Sequence, residues 1–215
     1  MLQKTTLTVL VVDDHPLLRK GVVDLLELED HIVPVGEASN GQQALELALQ
    51  LEPDLILLDL NMPNMDGIAT IRALRDAGVD SRILLFTVSD NEQDVISAFR
   101  EGADGYLLKD LEPESLVQNI VKAAEGKTAI SPELVDILTT AIRSRSSQPD
   151  STLSDLTDRE REVLKYVAHG LSNKMIAREL DIAEGTVKVH VKRLLKKLGM
   201  RSRVEAAVWL TRLQE

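Results

Sequence analysis

Along the first 125 residues, short apolar runs alternate with segments whose apolar positions recur every three to four residues. The runs "LTVLVV" (7–12), "IVPVGEA" (32–38), "DLILLDL" (54–60), "RILLFTV" (82–88) and "GYLL" (105–108) read as strands. Helical periodicity fills 16–28, 40–51, 66–77, 91–101 and 113–125. Five β/α alternations predict a doubly wound, five-stranded parallel α/β sheet with helices on both faces, which explains why the strands are almost unbroken in apolarity. A further helix is expected over 131–143, with Ser131 as N-cap and Pro132 at its first position. The polar, Ser-rich stretch 144–153 reads as a linker. Helical periods then resume at 157–169, 172–180, 183–198 and 202–212, the first opened by the capping box Thr157-x-x-Glu160 and closed by Gly170. The chain therefore divides into an α/β domain at 5–128, a connecting helix and linker at 129–153, and an all-α four-helix domain at 154–215.

Charge sharpens this division. The 215 residues carry a net charge of −10, but residues 1–145 hold 12 basic and 25 acidic side chains against 13 and 10 in residues 146–215. The second half is thus a candidate for a polyanionic partner, and the two halves can attract each other. Cys is absent, which excludes a disulfide framework and thiolate metal sites. No basic-then-apolar leader opens the chain and no apolar run approaches the ~18 residues of a membrane span, so a cytoplasmic protein without a membrane partner is expected. Aromatic residues at 2% weigh against an aromatic-lined pocket for an apolar ligand.

In sheets of this kind, ligands bind at the carboxyl ends of the strands. The first strand ends in Asp13 and Asp14, the third in Asp59, the fourth in Thr87, and Lys109 follows the fifth. With the first strand beside the third, three carboxylates converge on a hydroxyl and an ammonium. Such a cluster recruits a cation, and all-oxygen ligation favours Mg²⁺. A metal beside a carboxylate suits phosphoryl transfer, with Asp59 as the nucleophile forming an aspartyl phosphate and Thr87 and Lys109 binding the new phosphoryl oxygens. Asn61 and Ser89 flank this site. His15 is read as a turn residue rather than a metal ligand, and His31, His169 and His190 lack ligand spacing.

The segments "VVDDHP", "LILLDLNMPNMDG", "FTVS" and "GADGYLLKD" resemble the receiver domain of two-component response regulators, which has a flavodoxin-like fold, over roughly residues 5–128. That resemblance implies Asp13 and Asp14 as acidic-pocket residues and Asp59 as the phosphoacceptor. It further implies Mg²⁺ held by Asp14, Asp59 and the Asn61 backbone carbonyl, phosphate contacts from Thr87 and Lys109, and Tyr106 as a switch aromatic working with Thr87.

In the second domain, "LSNKMIARELDIAEGTVKVHVKRLLKKLG" holds two helices joined at "LDIAEG", the pattern of a helix-turn-helix. Val187, Val191, Leu194, Leu195 and Leu198 mark a buried face, and Lys188, Lys192, Arg193, Lys196 and Lys197 an opposite basic one. A basic recognition helix would enter the major groove of double-stranded DNA with Lys188 and Lys192 near base edges. Residues 156–208 resemble the LuxR-type DNA-binding domain, and with "DDHP" this places the chain near the NarL subfamily of response regulators, in particular its nitrate/nitrite-responsive members. The resemblance implies Lys188, Val189 and Lys192 as base-proximal residues, and Lys174, Arg178, Thr186, His190 and Lys196 as phosphate neighbours. Ala183 stands where an N-capping Ser or Thr is common.

The expected function is phosphorylation-controlled transcription regulation. A sensor histidine kinase passes a phosphoryl group to Asp59, the DNA-binding domain is released or dimerised, and a homodimer paired through 202–212 acts on DNA and meets RNA polymerase at a promoter. Such a chain is not an enzyme beyond catalysing its own phosphorylation and dephosphorylation. Two alternatives are a stand-alone Mg²⁺-dependent phosphatase and a regulator sensing an apolar ligand. Against the first, Asn61 stands two residues after Asp59 where a general acid is needed; against the second stands the acidic site with Lys109.

Overall fold

The computed structural model describes residues 6–124, 129–134, 153–171 and 173–213. Its first part is a parallel sheet in the order β2-β1-β3-β4-β5-β6, with β1 Leu7–Val12, β2 Ile32–Ala38, β3 Leu55–Leu58, β4 Arg82–Thr87, β5 Gly105–Leu108 and β6 Ala129–Ile130. Six strands among the described residues correct the expected five. β6 has only two residues, pairing Gly105 with Ala129 and Tyr106 with Ile130, and so is too short to show a period-2 pattern. The helix expected to begin after Ser131 opens differently: Pro132–Leu134 forms one 3₁₀ turn, and the Ser131 hydroxyl accepts from the Leu108 amide at 3.0 Å. The remaining positions of that expectation, 135–143, and linker residues 144–152 lie outside the described residues.

Helices α1 Pro16–Glu27, α2 Gly41–Leu51, α3 Gly67–Asp76, α4 Glu92–Glu101 and α5 Pro113–Ala124 follow the expected segments to within a residue or two. The strands send alternate side chains to opposite faces. Val9, Val11, Leu55, Leu57, Leu84, Phe86 and Leu107 pack with α1 and α5, whereas Leu10, Val12, Ile56, Leu58, Ile83, Leu85 and Tyr106 pack with α2, α3 and α4. Pro34, which cannot donate to a ladder, is confined to the edge strand β2.

Register positions the chemistry. β1 lies between β2 and β3, so the winding reverses there and a crevice opens at the strand ends. Val12 pairs with Leu58, and the Asp59 amide donates to the Val12 carbonyl at 2.8 Å, bringing Asp13 and Asp59 side by side. Thr87 pairs with Leu108, and the Lys109 amide donates to the Thr87 carbonyl at 2.8 Å. Gly67 starts α3 hard against this edge: a Cβ there would lie 2.6 Å from the Asp59 carbonyl oxygen.

The second part comprises α6 Asp158–Ala168, α7 Asn173–Glu179, α8 Glu184–Leu198 and α9 Arg203–Leu213 around a separate core that includes Val163, Leu164, Ile176, Val187, Leu194 and Leu210. Both halves of the Thr157/Glu160 capping box are formed, satisfying orphan amides at the start of α6. Ala183 caps α8 without a side-chain bond. No helix among the described residues is long and apolar enough to cross a membrane.

Candidate functional site

At the carboxyl edge of the sheet, Lys109 Nζ lies 2.7 Å from Asp13 Oδ2 and 2.9 Å from Asp59 Oδ2, inside a largely buried pocket. The ammonium bridges two carboxylates that would otherwise repel and offsets one of their two negative charges, while Asp59 Oδ1 stays buried without a hydrogen-bond partner. Burial pushes the Asp59 carboxyl up from the ordinary range, against the pull of Lys109. Asp14 is more open, and His15 Nδ1 lies 2.8 Å from its Oδ1 and 3.4 Å from Asp13 Oδ1. Arg19 donates to the Asp13 carbonyl at 2.6 Å and pins the start of α1 beneath the pocket. Asp13, Asp14, His15 and Asp59 each offer one ligand atom, all within 4.8 Å of one another. A carboxylate-rich donor set with one buried, unpartnered oxygen fits a hard divalent cation. The space under Asp13 and Asp59 is about 10 Å³, room for one water rather than a substrate.

Thr87 is fully buried, and its Oγ1 accepts at long range from Asn61 Nδ2 (3.4 Å) and the Ser89 amide (3.3 Å). Ser89 Oγ donates to Asp94 at 2.6 Å, and its carbonyl accepts from the Tyr106 hydroxyl at 2.9 Å. Tyr106 is itself fully buried, and that burial pushes its phenol up to about 12. The five strand-end residues thus converge, with Asn61 and Tyr106 tied to them through Thr87 and Ser89.

On α8, Val187, Val191, Leu194 and Leu198 are buried as expected; Leu195 is only partly so. Thr186, Val189, Lys192, Arg193 and Lys196 are exposed, Lys188 and His190 half-buried, and Arg178 on α7 exposed. Lys174 lies on α7, and its side chain falls outside the described residues. Lys197 departs from the expected basic face: its Nζ lies 2.6 Å from Glu160 Oε2 and joins α8 to α6. Although burial works against it, this contact and those of Thr157 hold the Glu160 carboxyl below its ordinary range.

Residues 9–121 match the family model described as the response regulator receiver domain, and residues 154–210 that of bacterial regulatory proteins of the luxR family. The chain is 53% identical over 203 residues to the nitrate/nitrite response regulator protein NarL of Escherichia coli, covering 94% of both. It is 47% identical to the nitrate/nitrite response regulator protein NarP of the same organism over 97% of this chain and 96% of that one. The chain belongs to the response regulators with a LuxR-type DNA-binding domain. The solved structure of the response regulator ChrA, of a heme-sensing two-component system, superposes with a TM-score of 0.52 at 35% identity, covering 97% of this chain and 98% of that one. Like its family, this response regulator controls transcription under the control of phosphorylation.

The regulator's two parts also meet at the opposite edge of the sheet. Arg201 Nη1 lies 2.8 Å from Glu101 Oε2 and 3.7 Å from Asp76 Oδ1. A Cβ at Gly78, which has φ +80°, would lie 2.5 Å from Lys192 Nζ, so the recognition helix rests against the α3–β4 loop. Asp80 on this loop lies in the field of Arg75, Lys188, Lys192 and Arg203. Between the parts is a cavity of about 220 Å³, whose lining includes Arg75, Asp80, Lys192 and Arg203. Arg75 braces the receiver side with bonds to Val79 O, Ser81 O, Gly102 O and Asp104 Oδ2 at 2.7 to 3.1 Å. Reading the sequence alone missed Asp76, Gly78, Asp80, Glu101 and Arg201; their only signal was the opposite charge of the two halves.

Proposed function

We propose that this chain is cytoplasmic, that Asp59 accepts a phosphoryl group from a sensor histidine kinase, and that its modification frees α8 to bind double-stranded DNA. The unpartnered, buried Asp59 Oδ1 beside Lys109 carries this reading. The Asp59 carboxylate attacks the phosphorus of a phosphohistidine; the O–P bond forms, the P–N bond breaks, and its electron pair returns to the imidazole, which takes up a proton. Asp14, Asp59 and the Asn61 carbonyl, with Asp13 beside them, would hold Mg²⁺, which when bound neutralises charge on the phosphoryl oxygens. Lys109 then turns from the Asp59 carboxylate to a phosphoryl oxygen. Thr87 exchanges its two long bonds for a short one to phosphate, and with it shifts Ser89 and the Tyr106 contact.

In the unphosphorylated protein the acidic receiver would hold the basic helix, since Lys192 packs against Gly78 and Arg201 against Glu101. Release lets α8 enter the major groove, with Lys188, Val189 and Lys192 near base edges. Arg178, Thr186, His190, Lys196 and Lys174 are then the candidates for phosphate contacts. Pairing of two copies through α9 would match an inverted repeat and leave the receivers free to meet RNA polymerase. Similarity to NarL and NarP supports nitrate or nitrite as the upstream signal. DNA binding with and without a small phosphoryl donor and Mg²⁺ tests the reading: the donor should tighten wild type and leave Asp59→Asn unchanged. A donor that left wild-type binding unchanged, or tightened Asp59→Asn equally, would sink the phosphorylation control.

A further inference from the structure

His15 alone among the four convergent ligands contributes nitrogen. It stands at the N-cap of α1 yet makes no side-chain capping bond, so its ring is not committed to the helix. Instead the ring turns back over the acidic pair, with Nδ1 at 2.8 Å from Asp14 Oδ1. Lys109 occupies Asp13 Oδ2 and Asp59 Oδ2, whereas Asp59 Oδ1 is buried and unpartnered, and a carboxylate oxygen of Asp59 lies in the same 4.8 Å cluster as a ring nitrogen of His15. Ligand atoms on opposite sides of one ion at ~2.1 Å each lie ~4.2 Å apart, so small side-chain adjustments bring this set onto a single ion.

We propose that His15, Asp14 and Asp59 form a mixed nitrogen–oxygen site for a divalent first-row transition-metal ion, which competes with Mg²⁺ for the same carboxylates. Imidazole adds little for Mg²⁺, a hard cation that prefers oxygen and retains its waters. For Co²⁺, Ni²⁺ or Zn²⁺ it is a preferred ligand, and affinities at such a site climb along the first-row series. An ion held through His15 occupies the oxygen of Asp59 that a phosphoryl donor must reach, so the identity of the divalent ion sets how readily the receiver is modified. This inference rests on the acidic pocket being the phosphoacceptor site.

The test is calorimetric titration of the full chain and of His15→Ala with Co²⁺ and with Mg²⁺ separately, followed by Co²⁺ in the presence of excess Mg²⁺. Because His15 is exposed and its ring makes no capping bond, the variant should fold normally. The expected result is a loss of about tenfold or more in Co²⁺ affinity in the variant, with Mg²⁺ affinity changed far less and the wild-type Co²⁺ isotherm weakened by Mg²⁺. Equal Co²⁺ affinity in the two proteins would overturn the inference and leave the Mg²⁺ pocket standing. Co²⁺ binding indifferent to Mg²⁺ would overturn it too, since the ion would then sit elsewhere. If neither ion bound wild type, the acidic pocket reading itself would fall.

Discussion

Glu101→Gln removes one charge from the contact between receiver and DNA-binding domain without touching any residue expected to meet DNA. Glu101 sits at the end of α4, accepting from Arg72 on α3 at 3.0 Å and from Arg201 at 2.8 Å. Exposed ion pairs contribute about 0.2–1 kcal/mol. Here the Glu101 side chain is 18% exposed and Arg201 46%, which puts their pair near the upper end, about 1 kcal/mol. At about 1.4 kcal/mol per factor of ten, the closed arrangement loses about a fivefold advantage. If that arrangement dominates without phosphate, the apparent affinity of the unphosphorylated variant for DNA rises by about the same factor. The phosphorylated form, already open, should bind like wild type.

Fluorescence anisotropy with a labelled operator, at low salt and again at 0.3–0.5 M salt, reads both states; the gain should shrink as salt screens the pair. An unchanged unphosphorylated affinity, or an equal gain in both states, would refute the reasoning. The pair also has a pH signature. Arg72, against the opposing effect of burial and with help from Arg201, holds the Glu101 carboxyl below its ordinary 4.5. A depressed carboxyl contributes fully above its unfolded value and loses that contribution as pH falls through the lowered one. Acidification below the ordinary glutamate range should therefore mimic Glu101→Gln, and neutral to alkaline pH should not.

Asp59→Asn should abolish the response to phosphoryl donor and raise thermal stability, because burial raises this carboxyl and its ionised form costs stability at neutral pH that would be recovered only as pH falls. A higher Tm by calorimetry is expected, and a lower one would contradict it. Lys192→Ala and Lys197→Ala, both on α8, should part company. The first weakens DNA binding in a gel-shift or anisotropy titration with little change in melting. The second strands the buried Glu160, whose side chain is 4% exposed, and lowers the stability of the helical domain by about 1–2 kcal/mol. Leu194→Ala, at a fully buried core position, should cost about 2–5 kcal/mol and remove DNA binding, while phosphorylation of the receiver, followed by mobility on a phosphate-affinity gel, continues.

Much of this arrangement could be read from the chain. "LILL" in β3 and "ILLF" within β4 are apolar at every position because both faces of those strands are covered, and parallel register then fixes which strand-end residues meet. What escaped reading depended on contacts distant in sequence. β6 is defined only by its pairing with β5, and Ser131 accepts from Leu108, 23 residues away. Lys192 and Lys197 look alike on a helical projection, and only the fold separates a cation that faces the receiver loop at Gly78 from one that neutralises Glu160. Glu101 and Arg201 are 100 positions apart, with no local pattern to connect them. His15 shows the same limit: its spacing suggests a turn, and only the direction of its ring brings nitrogen to the acidic pocket.

The phosphoryl pocket and the domain contact lie at opposite ends of the strands, which poses a mechanical problem. Gly78 and Asp80 precede β4, whereas Thr87 ends it, and the six residues of the strand span ~20 Å. The strands are packed on both faces and offer little room to shift. α4 spans the same gap as a single rigid element of about 15 Å. Its first turn carries Asp94, bonded to Ser89, whose carbonyl holds Tyr106; its last residue is Glu101, bonded to Arg201. Only Val95, Ala98 and Phe99 of its ten residues are buried, so its hold on the sheet is slight. Under the proposed switch, a phosphoryl group on Asp59 would draw Thr87 inward, and a displacement of Ser89 would move the start of this helix. A helix transmits that displacement to its far end, where a loop would absorb it in its own dihedral angles. The ion pair that joins the two domains is therefore fixed to the element best able to report the state of Asp59.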